Sequence, residues 1–237
     1  MSRLFKSWLC TFIALLPLCN AFAWELPDVP TIGKIDAAPI YIHMDVLENG
    51  RTVHKVNMGG ARLDGTYVFC GGWTLKSTLM GSFGNGTFGS ASAGFGYTLP
   101  VSKELIFTPF GGISYTYLRT SFDFFHPEFG LLLEEGSRHT YKSYSPLVGL
   151  DVSYTLCESW RILGTIQYGW AHTRTTIGNF VDNNRSKSEG FAYGLTLEKD
   201  ITKTMSINAG LGYNNTLSKE KHGLRGYGAK VGFVYWF

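Results

Sequence analysis

The sequence is poor in charged residues, which make up 16% of its 237 positions against about 25% in ordinary domains. Its formal net charge is only +3, whereas a nucleic-acid-binding protein of this size is usually far more basic. No run of about 18 consecutive apolar residues occurs, so a transmembrane helix is not expected. What the chain does contain is 15% aromatic residues and 29 glycines. This combination is typical of a soluble β-protein or a membrane β-barrel.

The first 23 residues have the three-part layout of a secretory signal peptide. Arg3 and Lys6 supply positive charge, residues 8–18 are mostly apolar, and residues 21–23 read Ala-Phe-Ala, a cleavage site with small residues. A lipid-modified Cys19 is the competing interpretation, but the bulky Leu18 before it fits such a site poorly. We therefore expect residues 1–23 to be removed and the mature chain to enter an extracytoplasmic compartment.

From about residue 86 onward, apolar residues alternate with small or polar ones at the period of a β-strand. In the clearest segment every second residue is apolar, namely Tyr227, Ala229, Val231, Phe233, Tyr235 and Phe237. The interleaved residues are mostly glycine, serine, alanine and asparagine, not the charged residues of a water-facing sheet surface. Aromatic residues lie toward the strand ends, as in interfacial girdles. The pattern predicts an all-β, antiparallel, up-and-down transmembrane β-barrel with its apolar face toward lipid.

The number of strands is less certain than their type. The alternation predicts strands near 66–80, 86–97, 105–119, 144–156, 161–174, 189–199, 205–216 and 225–237. Short turns alternate with longer links, as periplasmic turns and extracellular loops do in outer-membrane barrels. We favour eight strands within residues 61–237. Residues 24–60 are either a periplasmic or lumen-occluding segment, or a hairpin around Asn49-Gly50 that makes ten strands.

The chain ends in Tyr235, Trp236 and Phe237, with aromatic residues two apart and a terminal phenylalanine. Together with the signal peptide and the alternating strands, this ending resembles the bacterial outer-membrane β-barrel proteins. The size is similar to the small eight-stranded OmpX, opacity-protein, OmpA-barrel, OmpW and PagP groups. The resemblance implies a multi-pass protein of the bacterial outer membrane, in contact with membrane lipid and lipopolysaccharide. It also implies that the three terminal residues are a signal for the barrel-assembly machinery.

The alternation directs four charged side chains into the predicted lumen, namely Lys76, Asp151, Glu198 and Lys230. The interior of an eight-stranded barrel is just wide enough for side chains, and buried charges must be paired. We therefore expect an internal ion-pair network. Many inward positions are glycine, however, so the competing hypothesis is a lumen with space for a small apolar molecule, as in OmpW-like proteins.

The predicted loop from Ser121 to Ser143 is unusually apolar for a solvated loop. Its large apolar residues are Phe122, Phe124, Phe125, Phe129, Leu131, Leu132 and Leu133. The loop either folds onto the barrel rim or the outer leaflet, or it forms a surface that binds a host or envelope protein. His126 and His139 lie in the same loop, and lipid-modifying outer-membrane enzymes use serine and histidine at the outer rim. The family's His-x-Ser pattern is nevertheless missing.

These observations favour a non-enzymatic outer-membrane barrel with an envelope-structural or surface-interaction, adhesion-like role. Passage or binding of small apolar molecules through the lumen is the first alternative, and a lipid A-modifying enzyme is the second. We expect no cofactor, no metal site and no nucleic-acid partner. Cys70 and Cys157 belong to predicted strands on opposite sides of the barrel, so a disulfide between them is not expected.

Overall fold

The computed structural model describes residues 32–121, 124–126, 131–134, 138–177 and 185–237. The expected signal peptide lies outside these described residues. Ten long strands dominate the described chain: β1 (Ile32–Glu48), β2 (Arg51–Phe69), β3 (Trp73–Gly84), β4 (Gly86–Tyr97), β5 (Leu105–Ser121), β6 (Arg138–Cys157), β7 (Trp160–Ile177), β8 (Arg185–Asp200), β9 (Met205–Ser218) and β10 (Gly223–Trp236). No helix among the described residues is long and apolar enough to cross a membrane.

The ten strands form one closed antiparallel barrel. Each strand pairs with its neighbours in the chain, and β1 pairs with β10, as in the register of Ile40 with Lys230. A path through directly paired residues that leaves β6 at Tyr144 and runs once around the barrel returns to β6 at Cys157. This stagger means that the strands tilt relative to the barrel axis. The predicted all-β, antiparallel, up-and-down architecture is confirmed.

The barrel has ten strands and not the eight that we favoured, so the ten-strand alternative applies. The additional hairpin consists of β1 and most of β2, which meet at Asn49 and Gly50 with φ angles of 51° and 77°. Two consecutive positive φ angles are the conformation of a tight hairpin turn. The tight turn brings β2 back against β1, and β1 pairs on its other side with β10, so residues 32–60 join the sheet.

The predicted strand near 66–80 is wrong, because the chain reverses in its middle. A short 3₁₀ turn, Cys70–Gly72, separates β2 from β3, and Gly71 and Gly72 have φ angles of 73° and 86°. Odd-numbered residues face outward on both sides of this turn, as Tyr67 and Trp73 do. The alternation therefore continues through the turn and imitates a single strand.

Shorter elements complete the described chain. Leu99–Pro100 pairs with the start of β5, and Phe124–His126 pairs with Leu131–Glu134 in a separate two-stranded sheet. The turns after β2, β4, β6 and β8 lie at the end of the barrel where β1 begins, which we call the periplasmic end. The links after β1, β3, β5, β7 and β9 lie at the opposite, outer end. Two of these outer links are as short as a tight turn, at Asn49-Gly50 and at Asn85.

The outward face of the barrel is apolar through its middle and aromatic at its edges. Leu211, Val231 and Phe233 are 65 to 69% exposed. Such an exposed belt of large apolar side chains is typical of a barrel surface that faces lipid instead of water. Outward aromatic residues near the outer end include Tyr41, Tyr115, Tyr144, Tyr168, Trp170, Phe191, Tyr213 and Tyr227. Those near the periplasmic end include Trp73, Phe95, Tyr154 and Tyr235. These two rings are the aromatic girdles of a membrane-spanning barrel.

Candidate functional site

The lumen is the first candidate for a functional site, and strand register determines which residues line it. Even-numbered residues point inward on β1 to β5 and on β8 to β10, whereas odd-numbered residues point inward on β6 and β7. Among the described residues, ten inward charged side chains lie in the periplasmic half. They are Lys34, Asp36, Arg62, Asp64, Lys76, Asp151, Arg161, Glu198, Asp200 and Lys230. Five positive and five negative charges balance.

Glu198 on β8 is the centre of a network near the periplasmic end. Its side chain has no exposed surface, and it accepts hydrogen bonds from Lys34 at 2.6 Å and from Arg161 at 2.8 Å. Arg161 also donates to Asp200 at 2.5 Å. We call these four residues the periplasmic network. A carboxylate this deeply buried is tolerated because it has two cationic partners.

Trp236 of β10 closes this network, because its indole ring points into the barrel. The Nζ atom of Lys34 lies 4.8 Å from the ring centroid, and the Cζ atom of Arg161 lies 4.7 Å from it. The indole N–H donates to the Ser206 hydroxyl at 3.0 Å, and that hydroxyl donates to Asp200 at 2.6 Å. The end of the last strand is thus attached to β1, β7, β8 and β9 by polar contacts inside the lumen.

A second network, the central network, joins β1, β2, β3 and β10. Lys230 Nζ lies 2.5 Å from Asp36 Oδ2 and 3.6 Å from Asp64 Oδ2. Asp64 also accepts hydrogen bonds from Arg62 at 2.7 Å and from the Thr78 hydroxyl at 2.6 Å. Because β1 and β10 are the strands that close the barrel, the ion pair between Lys230 and Asp36 joins the first strand to the last.

A third group lies on the opposite wall of the lumen. Lys76 of β3 forms an ion pair with Asp151 of β6, and the Thr165 hydroxyl donates to the same carboxylate at 2.8 Å. Nζ of Lys76 lies 3.8 Å from the centroid of the Phe110 ring, a cation–π distance. This pair crosses the lumen between strands that are not neighbours in the sheet.

The four lumen charges named from the sequence therefore do not form one network. Lys76 contacts Asp151, whereas Glu198 and Lys230 belong to the two other groups and have partners that we did not name. Residues that sequence reasoning missed are Lys34, Asp36, Arg62, Asp64, Arg161 and Asp200. Lys34 and Asp36 lie in residues 24–60, for which alternatives stayed open, and Arg62 and Asp64 lie just before the strand predicted near 66–80. Arg161 precedes the outward residue Ile162, so the alternation of the sequence already indicates that Arg161 faces the lumen.

One side of the outer end of the lumen is filled by apolar side chains instead. A buried cluster joins β1, β2, β4 and β5, with Met44, Val46, Val56, Met58, Phe88 and Leu118 as its members. Ile42, Met80, Tyr141 and Leu224 pack against it from β1, β3, β6 and β10. Leu118 and Val56 are fully buried. We call this group the outer apolar cluster, and it fills one side of the lumen mouth.

The outward rim above β1 and β10 carries a hydrogen-bonded polar chain. His43 Nδ1 lies 2.7 Å from Asn57 Oδ1, and His43 Nε2 lies 3.5 Å from Asp45 Oδ1. Arg225 donates to Asp45 at 3.1 Å, and the His43 ring stacks on Tyr227 with centroids 4.8 Å apart. Both ring nitrogens of His43 therefore have partners within the rim. In the described ranges, no group of three or more histidine, cysteine or acidic side chains could hold a metal ion.

The remaining sequence-predicted residues are at the chain end and in the loop. Tyr235 and Phe237 stack outward with ring centroids 6.2 Å apart, whereas Trp236 points inward. Phe122 and Phe129 lie outside the described residues, as do the side chains of Phe124, Phe125 and Leu131 to Leu133, whose backbones form the small two-stranded sheet. Cys157 is an exposed free thiol.

A closed antiparallel barrel with an apolar belt and two aromatic girdles is the architecture of bacterial outer-membrane proteins, and the chain is a protein of this class. No family model and no curated protein sequence matches it. Solved structures do. The outer membrane protease OmpT from Escherichia coli is similar with a TM-score of 0.56 and 12% identity, over 90% of this chain and 99% of that one.

Two further similar structures are outer-membrane proteins. The attachment invasion locus protein Ail of Yersinia pestis, in complex with the heparin analogue sucrose octasulfate, has a TM-score of 0.45 and 14% identity, over 88% of this chain and all of that one. The translocator domain of autotransporter NalP from Neisseria meningitidis has a TM-score of 0.49 and 11% identity, over 97% of each chain. Because the sequence identity to OmpT is only 12%, the similarity to OmpT shows a shared fold and nothing more.

Proposed function

We propose that the protein acts at the cell surface, as an outer-membrane barrel with an envelope-structural or adhesion-like role, and does not conduct solutes. One observation carries this proposal: the described lumen contains paired charges in its periplasmic half and the outer apolar cluster at its mouth. An ion pore needs rings of uncompensated charge or polar groups along a water-filled path. Five cations balanced by five carboxylates supply no such ring.

The surface that would carry this role is the link between β5 and β6. The apolar residues from Phe122 to Leu133 give it the composition of an interaction surface and not of a solvated loop. Its proposed partner is a host or envelope protein. The barrel would reach the membrane through the assembly machinery, with Tyr235, Trp236 and Phe237 as its signal, and would contact lipopolysaccharide.

The test replaces residues 122–133 with a Gly/Ser linker of equal length and measures binding of cells to host surfaces. Loops tolerate such changes when the strands hold the fold, so we expect heat-modifiable barrel at wild-type level and loss of binding. The matched control replaces residues 178–184, between β7 and β8, in the same way and should retain binding. Unchanged adhesion in the 122–133 variant, or a large steady conductance of the wild type in planar bilayers, would overturn the proposal.

Binding of a small apolar molecule in the lumen is the second candidate function. It is supported by the inward face of β8 and β9 at Gly194 and Gly212, where the neighbouring atoms leave room for a larger side chain. A Cβ atom added to Gly212 would meet nothing closer than 3.6 Å. Loss of uptake of apolar solutes in the 122–133 variant, with adhesion intact, would favour this function, because the loop would then act as a gate.

An enzymatic role is not part of the proposal. His43 Nε2 lies 3.5 Å from Asp45, and the other ring nitrogen of His43 contacts Asn57 rather than a serine or threonine hydroxyl. In a mechanism with a serine or threonine nucleophile, the histidine accepts a proton from such a hydroxyl. Deacylation of lipid A by purified barrel, lost in His43→Gln, would contradict this part of the proposal.

A further inference from the structure

The outward face of β6, β7 and β8 carries basic side chains just above the outer aromatic girdle. Lys142, His172, Arg174 and Lys187 are all exposed, and we call them the basic patch. They point outward because they share the parity of Tyr144 on β6, of Trp170 on β7 and of Phe191 on β8. The patch is therefore on the lipid-facing surface, not in the lumen.

Strand register brings these side chains directly together. Lys142 is opposite Arg174, and His172 is opposite both Tyr144 and Lys187. Like charges directly opposite each other on neighbouring strands are destabilising. The exposed lysine and arginine lie side by side. This arrangement therefore favours binding of an anion that contacts both side chains.

Carboxylates of the protein do not neutralise the patch. Within the described part of the chain, Lys142, Arg174 and Lys187 have no ion-pair partner at 4.0 Å or closer. The nearby outward carboxylate, Glu189, has no cationic partner within 4.0 Å among the described residues. Across the barrel, by contrast, Arg225 at the same rim is paired with Asp45 at 3.1 Å. The patch is therefore a cluster of neighbouring cations without carboxylate partners among the described residues.

The depth of the patch indicates the source of the anion. Aromatic girdles lie at the level of the lipid head groups, and the basic residues follow Tyr144, Trp170 and Phe191 by two to four positions toward the outer end. Lysine and arginine bind phosphate by charge-assisted hydrogen bonds. We propose that the basic patch binds the phosphate groups of a phosphorylated glycolipid of the outer leaflet.

The test uses the purified full barrel in detergent and native mass spectrometry with bisphosphorylated lipid A as the probe. Lys142→Gln/Arg174→Gln should weaken binding at least tenfold. The control Arg51→Gln/Lys55→Gln removes two exposed cations of β2, on the opposite side of the same rim, and should bind within twofold of wild type. Dephosphorylated lipid A should bind the wild type at least tenfold more weakly than the bisphosphorylated form.

A second measurement separates loss of binding from loss of folding. Without lipid or phosphate, the Lys142→Gln/Arg174→Gln variant should melt at the same temperature as the wild type or higher, because a repulsive pair has been removed. Equal lipid A binding by the two variants, or a lower melting temperature of the patch variant, would overturn the proposal. Binding of inorganic pyrophosphate or a soluble sulfated polysaccharide at these residues in preference to lipid A would overturn the lipid source. The proposal rests on the lipopolysaccharide contact proposed above and gives it a site. None of these readouts requires adhesion, so a failure here is distinguishable from a failure of the adhesion-like role.

Discussion

The two halves of the lumen are filled by different chemistry. The periplasmic half contains ion pairs and charge-assisted hydrogen bonds, whereas the mouth at the outer end contains the outer apolar cluster. Apolar contacts are non-directional and tolerate exchange of similar side chains. Charge pairs require a particular partner at a particular register. The difference indicates that the ion pairs of the periplasmic half determine which strands pair. The apolar cluster of the outer half contributes packing that is less specific for a partner.

The location of the ion pairs supports this division. Lys34 and Asp36 on β1 contact Glu198 on β8 and Lys230 on β10, so the first strand is bound to the last part of the chain. Barrel closure joins segments almost 200 residues apart in sequence, for example Asp36 and Lys230. A slip of the closing strand by one residue would move Lys230 from the lumen into lipid. Paired lumen charges therefore disfavour wrong registers.

The largest effect is expected at the periplasmic network. Glu198→Leu leaves Lys34 and Arg161 in the lumen without their shared carboxylate and should lower the free energy of unfolding by about 4 kcal/mol. Urea unfolding in phospholipid vesicles, followed by tryptophan fluorescence, measures this change. The control Glu220→Leu, in the exposed turn after β9, should remain within about 0.5 kcal/mol of wild type. A loss below about 1 kcal/mol for Glu198→Leu would mean that this half of the lumen is hydrated and not a specific network.

The central network should show a smaller and partner-specific effect. Lys230→Met leaves the Asp36 carboxylate in the lumen without its cationic partner and should lower the free energy of unfolding by about 3 kcal/mol. Adding Asp36→Leu should recover part of that loss. Adding Asp151→Leu should not, since Asp151 is paired with Lys76. The same urea titration of the two double variants decides between these partners, and equal recovery by both would show that the lumen charges act as a diffuse field.

The outer apolar cluster should respond as a packed core does. Leu118→Ala removes a fully buried side chain and should cost about 2.5 kcal/mol, whereas Leu118→Met should cost less than about 1.5 kcal/mol. Leu118 should thus tolerate exchange for a side chain of similar size. Glu198 should not, because Gln has the same shape but lacks the charge. Similar losses for Leu118→Met and Leu118→Ala would contradict the division between the two halves.

The basic outline of the barrel could be read from the sequence because each strand carries its own signal. In β10, Tyr227 to Phe237 alternate without interruption, and the same is true of β8 and β9, so strand bounds agree with the structure to within a few residues. Alternation is a local property that lipid and lumen impose on every strand. Direction and parity follow from it without knowledge of any partner.

The first half of the chain was read less well, for identifiable reasons. Gly71 and Gly72 reverse the chain while Tyr67 and Trp73 both stay outward, so the alternation gave no sign of a turn. The outward residues of β1 and β2 include Ala37, Pro39, Gly59 and Ala61, which are too small to mark a lipid face by hydrophobicity. Only the hydrogen-bond pairing of β1 with β2 and β10 therefore shows that the barrel has ten strands and not eight.

The sequence by itself determined the class of protein, the apolar outward face and the inward parity of Lys76, Asp151, Glu198 and Lys230. Only the tertiary structure decided which charges meet, that the chain closes β1 on β10, and that the outer mouth is apolar while the periplasmic half is ionic. The physical reason is range. Alternation follows from a residue's immediate neighbours, whereas the partner of Lys230 is fixed by the stagger of ten strands around a closed sheet, a quantity to which every strand contributes.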